Sequence, residues 1–169
     1  MKEVHLATMM DSVQSEMVDV RQVHDLLEMR TIVESEAAFL AAERHKEEDI
    51  KELYESLLAF KQVMDDDKRV GYEADYAFHR VLVKAAYNPF LTQTIDHLSD
   101  LHLRALKFSL EKNLGWSSKR KEVYREHEKI YEAIKNRDAI NARNAVKEHL
   151  TNVRIKLKDE RVMNKKDEA

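Results

Sequence analysis

YEADYAFHRVLVKA, residues 72–85, is the stretch on which the fold turns. Tyr72, Tyr76, Val83 and, just beyond, Ala86 recur at the three- and four-residue spacing of one helix face, and no Gly or Pro interrupts them until Pro89. Asp75 and His79 fall on that same face. They stand one turn apart, so their side chains point the same way and can converge on one object. A carboxylate and an imidazole on a core-facing stripe are costly unless something pairs with them. The rest of the chain has to supply that partner.

Working outward, the same periodicity fills most of the 169 residues, punctuated by only two Gly and one Pro. Hydrophobic residues at 43% and charged residues at 36% suit a bundle of amphipathic helices, and the fold class expected is all-α, with six to seven helices. Residues 1–20 carry Met10, Val13, Met17 and Val20, enough for a lead-in segment with a short docking helix. A long helix is expected over about 21–44, with Leu27, Val33, Ala37, Leu40 and Ala41 inward. A second runs over about 47–66 and stops at the acidic DDDKR turn. The third covers about 70–87 and ends at Asn88-Pro89, because proline disfavours a helical residue before it and suits the first turn of the next helix. The fourth is read over about 89–112, with Leu91, Ile95, Leu98, Leu101 and Ala105 on its apolar side. A fifth over about 118–136 and a sixth over about 138–158 are joined by the NRD turn. One domain is thus expected over 21–158, followed by a charged, fraying tail over 159–169.

Composition also excludes several classes of function. Without cysteine there are no disulfides and no thiolate metal sites, which fits a reducing compartment. No hydrophobic run approaches a membrane span, and the N-terminal residues lack the apolar core of a signal peptide, so a cytoplasmic location is expected. Twenty-nine basic against thirty-two acidic residues give a net charge of −3, a poor electrostatic match for nucleic acid. The short basic clusters at Lys119-Arg120-Lys121 and Lys165-Lys166 are interleaved with or followed by acids and suit solvated helix faces. Nothing reads as strand, so the β-ribbon of a winged-helix DNA reader is not expected here.

Two more inward histidines answer Asp75 and His79. In VYREHEKIYEAI, residues 123–134, Val123, His127, Ile130 and Ile134 form one stripe; in NAVKEHLTNV, residues 144–153, Val146, His149 and Val153 continue a stripe from Ala142. Three helices therefore each offer a polar group from an apolar face. Three imidazoles and a carboxylate are a plausible set of ligands for zinc, nickel, iron or manganese, and helix bundles build metal sites from such inward side chains. On spacing and chemistry alone, four separately satisfied polar core residues stand level with that reading. His102, one turn beyond Leu98, can line the same cavity or merely pack. Arg30, among Leu26, Leu27, Val33 and Ala37, either pairs with Glu34 one turn on or awaits an anionic ligand.

These segments together resemble a known family, the C-terminal effector-binding domain (FCD) of GntR-type bacterial transcription regulators of the FadR subgroup. The resemblance runs from DLLEMRTIVESEAAFLAAER at residues 25–44 through DYAFH at 75–79, the AYNPFL corner at 86–91 and EHEKIYEAIKNRD at 126–138 to ARNAVKEHL at 142–150. It implies an antiparallel helical bundle that forms a homodimer. It further implies one divalent transition metal, zinc first among the candidates, held by Asp75, His79, His127 and His149 at the bottom of a cavity for a small carboxylate effector. Arg30 and His102 are the effector-binding residues that the cavity would use. DNA would be reached only through a winged-helix domain that this chain does not carry.

Two other functions use the same residues. A metal-dependent enzyme would need a base beside the metal water, and Glu126 and Glu128, although they flank His127, are expected to point away from its stripe. The paired Glu-x-x-His motifs of a di-iron bundle are absent. No catalysis is expected. A purely structural bundle, stapled by its metal, is the other alternative.

Overall fold

A computed structural model describes residues 19–163, and every structural statement concerns these. Eight helices and no strands lie among them: α1 (Val20–Arg44), α2 (Glu47–Met64), α3 (Tyr72–Lys84), α4 (Pro89–His97), α5 (Ser99–Glu111), α6 (Ser117–Lys135), α7 (Ala139–Lys156) and α8 (Glu160–Met163). The all-α bundle expected from the sequence is therefore what forms. None of the described helices is long and apolar enough to cross a membrane.

Local chemistry sets most helix ends. Asp19 caps α1 by accepting from the Arg21 N–H at 2.9 Å, and Asn88 caps α4 by accepting from the Phe90 N–H at 3.1 Å, with Pro89 in the first turn. Asp138 caps α7 through the Asn141 N–H at 3.1 Å. In α2, Asp49 reaches back to the Lys46 N–H at 2.8 Å. Gly71 leads into α3 at φ 85, a left-handed conformation that side chains disfavour.

Helix α1 lies along α7, α7 along α6, and α2 against both α3 and α6, while α3 also packs on α1 and α5. The main core gathers Leu27, Ala38, Phe78, Leu82, Ile130, Ile134, Val146 and Leu150 from four of these helices, all of them buried. A smaller cluster joins Phe60, Val63 and Met64 of α2 to Leu110 and Val123. Between α2 and α6 the buried Arg120 guanidinium donates to the carbonyls of Val63, Met64, Asp66 and Arg69 at 2.7 to 3.0 Å, pinning the α2–α3 loop.

Three boundaries differ from expectation. The helix read over 89–112 is two, because at Leu98 (φ −99, ψ 10) the N–H turns to Ile95 O at 3.2 Å and α5 sets off again from Ser99. Its apolar spacing runs through the bend without a break, so no sequence signal marks it. Helix α3 is shorter at both ends than 70–87: Gly71 starts it, and Tyr87 at φ 52 turns the chain toward Asn88. Residue 159 begins an ordered turn rather than a frayed tail. Asp159 is buried and accepts from Arg154 Nε at 2.8 Å, Arg161 Nε at 2.9 Å and the Arg161 N–H at 3.1 Å, and α8 follows. The lead-in over 1–18 and residues 164–169 lie outside the described residues.

Candidate metal centre

Helices α3, α6 and α7 each turn one imidazole into the same buried space. His79, His127 and His149 are all at most 2% exposed, and their ring centroids lie 4.7 to 5.3 Å apart. One ring nitrogen from each can be chosen so that no two are more than 4.8 Å apart. Phe60 and Phe78 pack against His127 with centroids 4.5 and 4.7 Å away, closing the space with apolar surface. Asp75, one turn before His79, brings its carboxylate in as well. Its Oδ1 is 3.4 Å from His79 Nε2 and its Oδ2 is 3.6 Å from His127 Nε2.

The outer nitrogens decide what the inner ones can do. His79 Nδ1 lies 2.6 Å from Glu34 Oε2, His127 Nδ1 lies 2.8 Å from Val123 O, and His149 Nδ1 lies 2.7 Å from Glu126 Oε2. Each of these partners only accepts, so each Nδ1 carries the proton and donates. The Nε2 atoms are left with lone pairs pointing inward. Burial pushes the His127 imidazole down to about 3, so it stays neutral at ordinary pH. Asp75 lies below its usual range; burial opposes its ionisation, and His127, His79 and His149 together outweigh that effect. The interior thus sets the Asp75 carboxylate against the inward nitrogens, and the uncharged His127 offers it only a lone pair.

Such an arrangement lacks a donor. Asp75 Oδ1, His79 Nε2 and His127 Nε2 are buried without a hydrogen-bond partner, although the carboxylate is close enough to both imidazoles to count as an ion pair if either were protonated. No hydrogen bond joins them, because the imidazole protons are engaged on the Nδ1 side. A buried atom of this kind normally finds a partner, and three together are uncommon. Nitrogen and oxygen donors converging at these separations fit a divalent cation bound at about 2.0–2.2 Å from each. The residues present therefore suit the group that the sequence pattern implies.

Beside the imidazoles lies a second charged line. Arg30 is buried and donates from Nε to Glu34 Oε1 at 2.6 Å and from Nη2 to Oε2 at 3.3 Å. Burial alone would raise Glu34, but Arg30 and His79 hold its carboxyl well below the usual range. His102 on α5 is buried, sits edge-on to Tyr76 at 5.0 Å, and leaves its Nε2 without a partner. Burial, with the Arg30 charge adding to it, pushes His102 down to about 3. A cavity of about 430 Å³ has Val123, Glu126, Asn152 and Lys156 in its wall, the first two being the residues that back His127 and His149. Burial draws the Lys156 amine down to about 8 against the pull of Asp75 and Glu126.

Asp75, His79, His127 and His149 are thus brought together, and Arg30 and His102 lie beside them. Of the two partners open to Arg30, the structure shows it paired with Glu34. Three contributors were missed. Glu126 does not point away: it reaches across to α7, taking His149 Nδ1 on Oε2 and Asn152 Nδ2 on Oε1, both at 2.7 Å. Glu34 was weighed only as a partner for Arg30, and its bond to His79 crosses between α1 and α3. Lys156 lies on the face of α7 that follows His149, but its partial burial is a tertiary property. An acid one turn after an inward arginine was the available signal for Glu34; the other two left none.

Comparison with known proteins places this geometry. A sequence profile of the FCD domain matches residues 25–152. The chain is 34% identical over 139 residues to the HTH-type transcriptional regulator LutR of Bacillus subtilis (strain 168), covering 80% of this chain and 60% of that protein. It is 29% identical over 143 residues to the Glc operon transcriptional activator of Escherichia coli (strain K12), covering 82% of this chain and 56% of that protein. The chain therefore spans little more than half the length of these relatives. Among solved structures, Streptococcus agalactiae GntR superposes with a TM-score of 0.64 at 21% identity, over 82% of this chain and 60% of that one, which supports the fold. The relatives are regulators of transcription rather than enzymes. With the profile matched over most of its length, the chain belongs to the FCD family, the helical effector-binding domain of GntR-type transcription regulators.

Proposed function

We propose that this domain senses a small organic acid with the help of one divalent metal ion, zinc first, with nickel, manganese and iron as alternatives. The observation that carries the reading is the set of Asp75 Oδ1, His79 Nε2 and His127 Nε2, buried without a hydrogen-bond partner. Asp75, His79, His127 and His149 would hold the ion. When bound, a divalent cation supplies net positive charge and coordination positions that a carboxylate can fill.

The chain's own residues favour an anion in the same place. Arg30 brings a buried guanidinium, and His102 brings a ring nitrogen with no protein partner. A carboxylate joining these groups would touch α1, α3 and α5 together. If it binds two packings of the bundle unequally it shifts their populations, and a homodimer can pass that shift to DNA-reading domains attached elsewhere. The cytoplasm, where metabolites and DNA meet, is the compartment this function requires.

The test is thermal unfolding of the full chain with and without L-lactate, before and after removal of metal by a chelator. Sensing through the ion predicts a raised Tm in the metal-loaded protein only. Equal stabilisation of the stripped protein would mean the acid does not use the metal. A metal that merely staples helices predicts no response to acid in either form.

A further inference from the structure

Glu34 belongs to α1, a helix that supplies none of the four inward ligand atoms, yet it is completely buried against one of them. Its carboxylate has two partners, Arg30 Nε and His79 Nδ1, each at 2.6 Å. The other two histidines are backed differently. His127 rests on the Val123 carbonyl, which no substitution removes, and His149 rests on Glu126, a side chain 25% exposed and shared with Asn152.

We propose that Glu34 is the positioning residue of the centre: a single carboxylate fixes the tautomer of His79 so that Nε2 faces inward as a ligand, and holds Arg30 in place beside it. The inference rests on the metal-centre reading above and adds to it the residue that prepares the site.

The physical reason is a choice between two proton positions. His79 can place its one ring proton on Nδ1, bonded to Glu34, or on Nε2, where Asp75 Oδ1 waits at 3.4 Å. Only the first leaves a lone pair for an ion. A carboxylate at 2.6 Å can only accept, so it holds the proton on Nδ1. A metal-bound imidazole backed by a carboxylate in this way is also oriented and made more basic.

Glu34→Gln reverses that choice while keeping the shape. Arg30 can only donate, so it takes the amide oxygen, and the amide NH2 is turned toward His79. Nδ1 must then accept, the proton moves to Nε2, and the inward lone pair is gone. Glu34→Asp keeps an acceptor and restores part of the effect.

The experiment uses the full chain labelled with ring-15N histidine and stripped of metal, with zinc affinity measured alongside by competition with a chromogenic chelator. In the wild type, His79 is expected to show the pattern of a protonated Nδ1 and a bare Nε2, and in Glu34→Gln the reverse. Zinc affinity is expected to fall about 10- to 100-fold in Glu34→Gln and by less in Glu34→Asp. A wild-type His79 protonated on Nε2 overturns the proposal whether or not the variant folds. So does an unchanged zinc affinity in a folded Glu34→Gln protein. If wild-type protein binds no zinc, the metal reading fails instead, and the ring-nitrogen pattern alone decides whether Glu34 sets the tautomer.

Discussion

Oδ2 of Asp75 faces Nε2 of His127 across 3.6 Å with no proton between them, because the His127 proton is on Nδ1 and bonded to Val123 O. The same relation holds on the other side of the carboxylate, where His79 Nε2 stands 3.4 Å from Oδ1. Lone pairs opposed at this distance repel each other, and no hydrogen bond offsets the burial of either atom. One cation placed among them reverses both effects.

The ligands should therefore be separable from the fold. His127→Ala and His149→Ala each remove one donor, and metal retained after extensive dialysis is expected to fall from one equivalent to a small fraction. Far-UV circular dichroism should stay helical, because Ile130, Ile134, Val146 and Leu150 still hold α6 and α7 to the core. Unchanged metal content in both variants would take the two histidines out of the site.

Arg30 is expected to matter for the acid more than for the metal. Metal-loaded wild type should gain about 2.7 kcal/mol when L-lactate is present at about a hundred times its Kd. Arg30→Gln should lose most of that gain while retaining metal. Comparing each variant with and without acid cancels the variant's own instability. A full response in Arg30→Gln would assign the guanidinium to Glu34 alone.

His102 makes a prediction about pH. Its folded value is depressed to about 3, below the ordinary histidine value of 6.5. Between those values the unfolded chain binds a proton that the folded one refuses. The stability that neutral His102 contributes is thus present above about 6.5 and lost as pH falls toward 3, by about 1.4 kcal/mol per pH unit. In metal-free protein, His102→Gln should flatten the stability profile by that slope. A profile of identical steepness would show that His102 charges as readily in the folded protein as in water.

Gly71→Ala tests the approach to α3. The residue sits at φ 85, and a Cβ there would come within 2.4 Å of Met64 Cε and 2.9 Å of Val63 Cγ1. The flexible Met64 end can move aside, but the backbone conformation cannot be relieved. A loss of about 1–2 kcal/mol in denaturant unfolding is expected, with metal content unchanged. An alanine variant as stable as wild type would show that the turn relaxes freely.

How much of this was legible beforehand differs between residue types. Helix periodicity placed Asp75, His79, His127 and His149 on inward stripes, since burial along a helix follows spacing, and the structure brings all four together. Phe78 and Leu82, central to the α3 stripe, complete the face on which Asp75 and His79 lie. The acceptors behind the imidazoles were harder to see. Glu34 and Glu126 belong to helices other than those of the histidines they serve, and which acid meets which ring depends on the rotation of one helix against another. Leu98 and Asp159 carry the same lesson. A bend without Gly or Pro, and an acid buried by two arginines, arise from packing that local composition does not record.

The most direct measurement is metal content per chain by plasma mass spectrometry, on protein purified without chelators and without a metal-binding tag. About one equivalent of a divalent transition metal, lost in His127→Ala and His149→Ala, is the result expected from the buried, donorless set of Asp75, His79 and His127. Protein that holds no metal even after incubation with zinc, nickel and manganese would contradict it, and would leave those atoms as an unpaired polar cluster in a helical core.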